Sequence, residues 1–224
     1  MTKTIALTTV LCAAACGSNL SFSARAGSPT PAVAASPRAL TLSSGIVLSR
    51  VRIVLRDVKL EKATGNASDD SDDDEIAAGP LLLDLQGSTL DQGGVQKVLD
   101  ASFQPGTYKE IKLKIHKLTS SDSFAGNAGL QAMSDAGASM IVEGTIDGAT
   151  FAFNTSVESK QEFEGAIELK TGSNLTLTVD PAGWFTGSGG RLDPRVEGNR
   201  PQIEDNIKKS FKAFKDDDHN GHDD

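Results

Sequence analysis

The last nine residues, Asp216-Asp217-Asp218-His219-Asn220-Gly221-His222-Asp223-Asp224, are the densest set of cation ligands in the chain. Asp216, Asp218 and Asn220 followed by Gly221 match the D-x-[DN]-x-[DN]-G spacing of a calcium loop, in which alternate side-chain oxygens converge on one hard cation and glycine permits the sharp turn. Asp224 stands at the ninth loop position as a partial substitute, because the chain stops before the bidentate Glu of the twelfth. His219 and His222 add a weaker set for zinc or copper, two imidazoles three residues apart. Asp216, Asp218, Asn220, His222 and Asp224 are thus the candidate metal ligands, and Ca2+ the one cofactor the spacing suggests. The competing reading is a solvated acidic tail that frays as termini do.

Trp184 and Phe185 follow Asp180-Pro181-Ala182-Gly183 and precede the glycine-rich Thr186-Gly187-Ser188-Gly189-Gly190. Exposed on such a loop they would stack on a sugar ring or anchor a protein; buried, they would pack beneath the helix that follows. The glycines lack the Gly-Lys-Ser/Thr ending of a phosphate loop. Six acids in Asp69 to Glu75 without spaced Gly or Asn read as a self-repelling loop. Nucleophilic catalysis is poorly provisioned, since His116 is the one histidine outside the tail and both cysteines, Cys12 and Cys16, lie at the start. The remaining catalytic alternative is a carbohydrate-active hydrolase using paired carboxylates in a cleft. It would need two carboxylates facing one concave pocket, whereas a binding module would not.

The first residues combine Lys3 with an uncharged run from Ile5 to Ala15, too short to span a bilayer as a helix of about 20 residues and therefore a signal rather than an anchor. That run ends in Ala14-Ala15-Cys16-Gly17, and Ala13-Ala14-Ala15-Cys16-Gly17 resembles the lipobox of bacterial lipoproteins. The resemblance implies that Cys16 is diacylated and becomes residue one, with Ala13 standing where Leu is more usual. The alternative is ordinary cleavage after Ala24-Arg25-Ala26, which would give a free secreted protein. Lipidation consumes the one remaining thiol, so no disulfide can staple the domain, and a packed core must hold it together. Gly17 rather than Asp after the cysteine favours the outer membrane over the inner one.

The chain of 224 residues carries a net charge of −8, and loss of residues 1–16 removes only Lys3. Eleven of the 30 acids lie in the two acidic runs, leaving a nearly balanced scaffold. No concentrated basic footprint exists, which disfavours nucleic acid as a partner. The expected partners are the membrane, through the lipid, and an envelope protein or glycan.

These residues need elements to position them. Residues 17–38, rich in Ser, Ala, Gly and Pro, read as a flexible tether. Residues 39–198 read as the folded domain. Val51, Ile53 and Leu55 alternate with arginines and the phase then shifts to Val58 and Leu60, a strand with a bulge near Arg56-Asp57. Leu81 to Leu85 resumes as a short strand, Asp91 to Phe103 as a helical turn, and Gln104-Pro105-Gly106-Thr107 as a turn launching a strand with Ile111, Leu113 and Ile115. Residues 119–138 read as a mobile connection or edge segment. Asp147-Gly148 marks a type I′ hairpin, and strands follow at Phe163 to Leu169 and Leu175 to Val179. Ile203, Ile207, Phe211 and Phe214 recur at helical spacing, with Asn199 and Gln202 as a capping box, giving a helix over 199–215 before the acidic tail at 216–224. The whole is mainly β: an antiparallel β-sandwich of seven or eight strands with a C-terminal amphipathic helix.

Val51 to Leu55, the acidic insert, Leu83-Asp84-Leu85 and Pro105-Gly106-Thr107-Tyr108-Lys109-Glu110-Ile111-Lys112-Leu113 together resemble a family of bacterial envelope lipoproteins with a prealbumin-like β-sandwich domain of unknown function. The resemblance covers residues 45–118 best and supplies no catalytic residues. With the lipobox and the poor catalytic provision, the expectation is a lipid-anchored, non-enzymatic binding or structural module of the bacterial cell envelope, with the C-terminal acidic end as its candidate calcium site.

Overall fold

The computed structural model describes residues 18–27, 39–63, 73–77, 79–91, 94–124, 126–220 and 222–224. Residues 1–17, with the expected signal segment and Cys16, residues 28–38 of the expected tether and the greater part of the acidic insert lie outside the described residues. In chain order the elements are β1 (Ser18–Ala26), β2 (Leu40–Thr41), β3 (Val47–Lys62), β4 (Asp73–Ala77), β5 (Leu81–Gln86), α1 (Ser88–Asp91), β6 (Gln96–Phe103) and β7 (Gly106–Ile115). There follow α2 (Ala128–Asp135), β8 (Met140–Ile146), β9 (Ala149–Thr155), β10 (Ser159–Leu169), β11 (Asn174–Val179), β12 (Thr186–Gly187), β13 (Gly190–Arg191), α3 (Arg200–Lys208) and β14 (Phe211–Lys215).

Two sheets enclose the core. The first runs β14-β11-β1-β6 and the second β10-β7-β3-β8-β9, with β2, β4 and β5 also pairing with β3. The fold is thus the expected mainly β sandwich, with more strands than the seven or eight expected because several are short pieces along β3. Pairing is antiparallel except between β1 and β11. Inward-facing Leu20, Phe22, Val51, Ile53, Leu55, Ile111, Leu113, Phe153 and Leu177 belong to one continuous buried cluster. Since about 25 cal/mol accrues per Å2 of apolar surface removed from water, this cluster is the principal source of stability in a domain that no disulfide ties.

Strand β3 shows how local chemistry shapes the sheet. Its first half lies between β8 and β5 and its second half between β7 and β4. Between them Asp57 adopts φ 50° and the register with β7 shifts between Arg56 and Lys59, the bulge that the change of phase in the sequence called for. Asp147 and Gly148, at φ 51° and 77°, make the expected tight turn between β8 and β9.

The structure departs from the sequence reading in four places. Ser18 to Ala26, assigned to the tether, is a central strand. Leu20, Phe22, Ala24 and Ala26 alternate inward and are fully buried, which the small side chains around them disguise. The helix expected over 199–215 ends at Lys208 and gives way to β14, which pairs with β11 from Val179–Phe211 to Leu175–Lys215. An unpaired edge of β11 offers Phe211 to Lys215 a ladder of backbone hydrogen bonds that another helical turn could not replace, and Ser210 closes the last turn through the Ile207 carbonyl. The capping box does not form, because Asn199 donates through Nδ2 to the Asp193 carbonyl and makes no side-chain cap. Residues 96–103 form a strand against β1 rather than a helical turn, and α2 occupies the segment expected as a connection. Asn127 caps α2 by accepting from the Leu130 N–H, and Leu130 and Met133 pack on Val54, Leu118 and Ile141 on the outer face of the second sheet.

Candidate functional site

The two poles of the sandwich carry different groups. At one pole β1 begins: Ser18 pairs with Phe103 at the end of β6, and the Thr171 hydroxyl donates to Ser18 Oγ at 2.9 Å. Gly172 N–H donates to the Asn19 carbonyl, so the β10–β11 turn closes over the start of the strand. At the other pole Gly27 N–H donates to the Val179 carbonyl, and a Cβ on Gly27 would stand 2.8 Å from Asp180 Cβ. That close approach leads directly into the Pro181–Gly183 turn, capped by Asp180, and into Trp184.

Trp184 and Phe185 are both fully buried, so the exposed stacking platform entertained from the sequence does not form. Phe185 makes edge contacts with Phe151 and Phe153, at centroid distances of 5.9 and 6.4 Å, and with Trp184 at 6.5 Å. Asn206 of α3 fixes the loop by donating through Nδ2 to the carbonyls of Gly183, Trp184 and Thr186. Trp184 lines a shallow cleft of about 230 Å3 with Asp180, Asn206, Lys209 and Lys212 around it. Its Nε1 is buried and has no hydrogen-bond partner. The cleft brings in a single carboxylate, Asp180, whose Oδ1 accepts the Ala182 N–H.

The residues singled out as calcium ligands are each engaged in hydrogen bonds within the protein. Asp216 is fully buried on the outer face of the first sheet, where Oδ2 accepts the Thr176 hydroxyl at 2.7 Å and its carbonyl accepts Asn174 Nδ2 at 2.9 Å. Ser23 of β1 extends the network by donating to Asn174 Oδ1. Asp218 and Asn220 instead make local turns, Asp218 accepting the Asn220 N–H and Asn220 accepting the His222 N–H. Asp224 accepts the Asp217 N–H and faces Lys215 at 3.9 Å. Partial burial works against the Asp217 carboxylate, yet hydrogen bonds from Lys215 and the Asn174 N–H hold its pKa below the ordinary value. No three His, Cys, Asp or Glu side chains among the described residues gather as a metal cluster. Alternation along β14 continues into Asp216 and turns its carboxylate onto Thr176 of the sheet.

Carboxylates with divergent pKa values can mark an acid–base pair, and Glu61 and Glu110 diverge. Hydrogen bonds from Lys109 and then Lys112 lower Glu61 to about 2, whereas burial and then Glu61 raise Glu110. Both project from adjacent strands onto the same face of the second sheet, half-buried and bridged by Lys112 at 2.6 and 3.8 Å. They form a rung of an ion ladder with Lys109 and Lys112. His116, the other residue weighed for catalysis, stands 3.2 Å from Glu158 at Nε2 and 2.6 Å from the Lys117 carbonyl at Nδ1. A second groove, between β10 and β14, has Phe163, Ile167 and Phe214 on its walls and Glu164, Asp223 and Asp224 at its rim.

No protein-family model and no curated protein matches the chain. Among solved structures, MbnP from Methylosinus trichosporium is similar at 12% sequence identity, over 88% of this chain and 97% of that one, with a TM-score of 0.40. A likeness of that size does not bear on chemistry.

Proposed function

We propose that the protein is a lipid-anchored, non-enzymatic binding or structural module of the bacterial cell envelope, joined to the membrane through Cys16 and favouring the outer membrane. The supporting observation is the position of β1. Processing at Cys16 leaves Ser18–Ala26 attached, whereas cleavage after Ala26 would remove a strand that pairs on both sides and buries Leu20 and Phe22. The lipobox therefore agrees with the fold at the one point where its rival conflicts with it. The non-enzymatic part rests on the Trp184 cleft holding one carboxylate and on Glu61 and Glu110 being engaged by Lys109 and Lys112.

Mass spectrometry of the mature N-terminus with cell fractionation tests this reading. An acylated cysteine derived from Cys16, with membrane association lost in Cys16→Ser, is the expected result. An unmodified start at Gly27, or no incorporation of labelled fatty acid, would overturn it.

A further inference from the structure

We infer that, given the lipid anchor just proposed, the sandwich stands end-on to the membrane, with the Ser18 pole against the lipid surface and the Trp184 cleft facing away. Only Gly17 separates Cys16 from the first residue of β1. Two Cα steps span at most about 7 Å, so an acyl-bearing cysteine cannot lie farther than that from Ser18. β1 is not free to swing. It is held by β6 on one side and β11 on the other, and Thr171 and Gly172 bond to Ser18 and Asn19 at its very start. A nine-residue strand rises roughly 3.3 Å per residue, which carries Ala26, and with it Asp180 and the cleft, roughly 26 Å from the anchored end.

The chemistry of the near pole fits a surface held by acyl chains rather than by charge. Ala63 and Asp73 stand beside Thr107 and Glu61, and the β6–β7 and β10–β11 turns complete this end. Lys215 is paired with Asp217 and Asp224, beside Leu175 and Asn174. Lys170 is likewise paired with Glu168, so among the described residues cations and carboxylates offset each other at this end. The short tether, rather than a charged patch, is therefore what brings this pole to the lipid surface.

Full-length protein acylated in a bacterial host and reconstituted in phosphatidylcholine vesicles tests the orientation. With the Cys16 sulfur blocked by lipid, Thr171→Cys and Ala182→Cys each supply one thiol for a fluorophore, one at each pole. Quenching by a headgroup-depth lipid quencher is expected to be several-fold stronger at 171 than at 182. Equal quenching, or stronger quenching at 182, in protein whose acylation is verified by mass would overturn the orientation and leave the lipid anchor standing. Protein that carries no acyl chain would sink both. A ten-residue Gly-Ser insertion between Gly17 and Ser18, reaching roughly 18 Å on average, is expected to level the two positions. Unchanged ordering with that insertion would show that surface affinity, not the short tether, sets the stance, and would also overturn the inference.

Discussion

Strands β1 and β14 lie near opposite ends of the sequence and both join the first sheet, yet they are built on opposite terms. β1 is made of Ser, Ala and Asn around Leu20 and Phe22, and it pairs with β11 and β6 so that both edges are satisfied. β14 is Phe211-Lys212-Ala213-Phe214-Lys215, far richer in large side chains, and among the described strands it pairs only with β11. Position, not hydrophobicity, decides how much each contributes. A modest strand in the middle of a sheet is covered on its edges and both faces, whereas a bulky one at the margin leaves Phe214 half exposed. At Lys215 the chain's own end covers the margin, the Lys215 carbonyl accepting the Asp224 N–H, while exposed Lys212 discourages pairing with other chains.

The most drastic way to test that contrast is to start the chain at Gly27. Loss of β1 strips both β6 and β11 of a partner, and the product is expected to remain unfolded, with far-ultraviolet circular dichroism lacking the β-sheet minimum. A native spectrum from that version would remove the basis for placing the processing site at Cys16. A milder version compares Phe22→Ala with Phe214→Ala. The buried ring is expected to cost about 3–5 kcal/mol and the half-exposed one about 1 kcal/mol in urea unfolding. Similar midpoints for the two would contradict the ranking of centre over margin.

Asp216 probes the seam between the two strands, since it follows β14 and joins the network that reaches Ser23 of β1. Asp216→Ala leaves the buried Thr176 hydroxyl without its acceptor, and a loss of about 1–3 kcal/mol is expected. An unchanged melting temperature would mean that the network does not hold the last residues to the sheet. On the second sheet, Glu61 gives a pH signature. Its pKa is lowered to about 2, so it contributes stability above its unfolded value near 4.3, and that contribution disappears as pH falls toward 2. Glu110, raised by burial, acts in the opposite sense and blunts the effect. Glu61→Gln should flatten the acid limb of the stability curve between those values, and an identical limb in both proteins would refute the assignment.

The smallest expected effect concerns calcium. Because Asp216 faces the sheet and Asp218 engages Asn220, calorimetric titration with Ca2+ should give no saturable heat in either the intact protein or Asp218→Ala. Saturable binding in the intact protein that vanishes in the variant would restore the loop as a metal site.

Much of the second sheet was readable from residues alone. The inward Val51, Ile53 and Leu55, the alternation in Ile111 to Ile115, the phase shift at Asp57 and the Asp147-Gly148 turn are local signals, and each produced the element it implied. The first sheet was harder. In β1 the alternation of Leu20, Phe22, Ala24 and Ala26 is present, but small residues give a weak contrast that matters only once β6 and β11 lie alongside. In Phe211 to Lys215 the helical and extended periods both fit so short a run, and the unpaired edge of β11 decides between them. Among the site residues, the spacing of Asp216, Asp218 and Asn220 is unmistakable as a pattern, yet convergence on a cation depends on backbone direction, which spacing does not encode.

Residue order by itself determined the mainly β character, the principal turns and the two acidic runs, because periodicity, turn chemistry and charge act over a few neighbouring residues. Tertiary structure decided that a serine- and alanine-rich segment becomes the centre of a sheet, that Trp184 and Phe185 are buried, and that the acidic end folds onto β11. Those outcomes depend on which distant strand supplies hydrogen bonds and apolar cover, and such partners are assigned only when the whole chain packs.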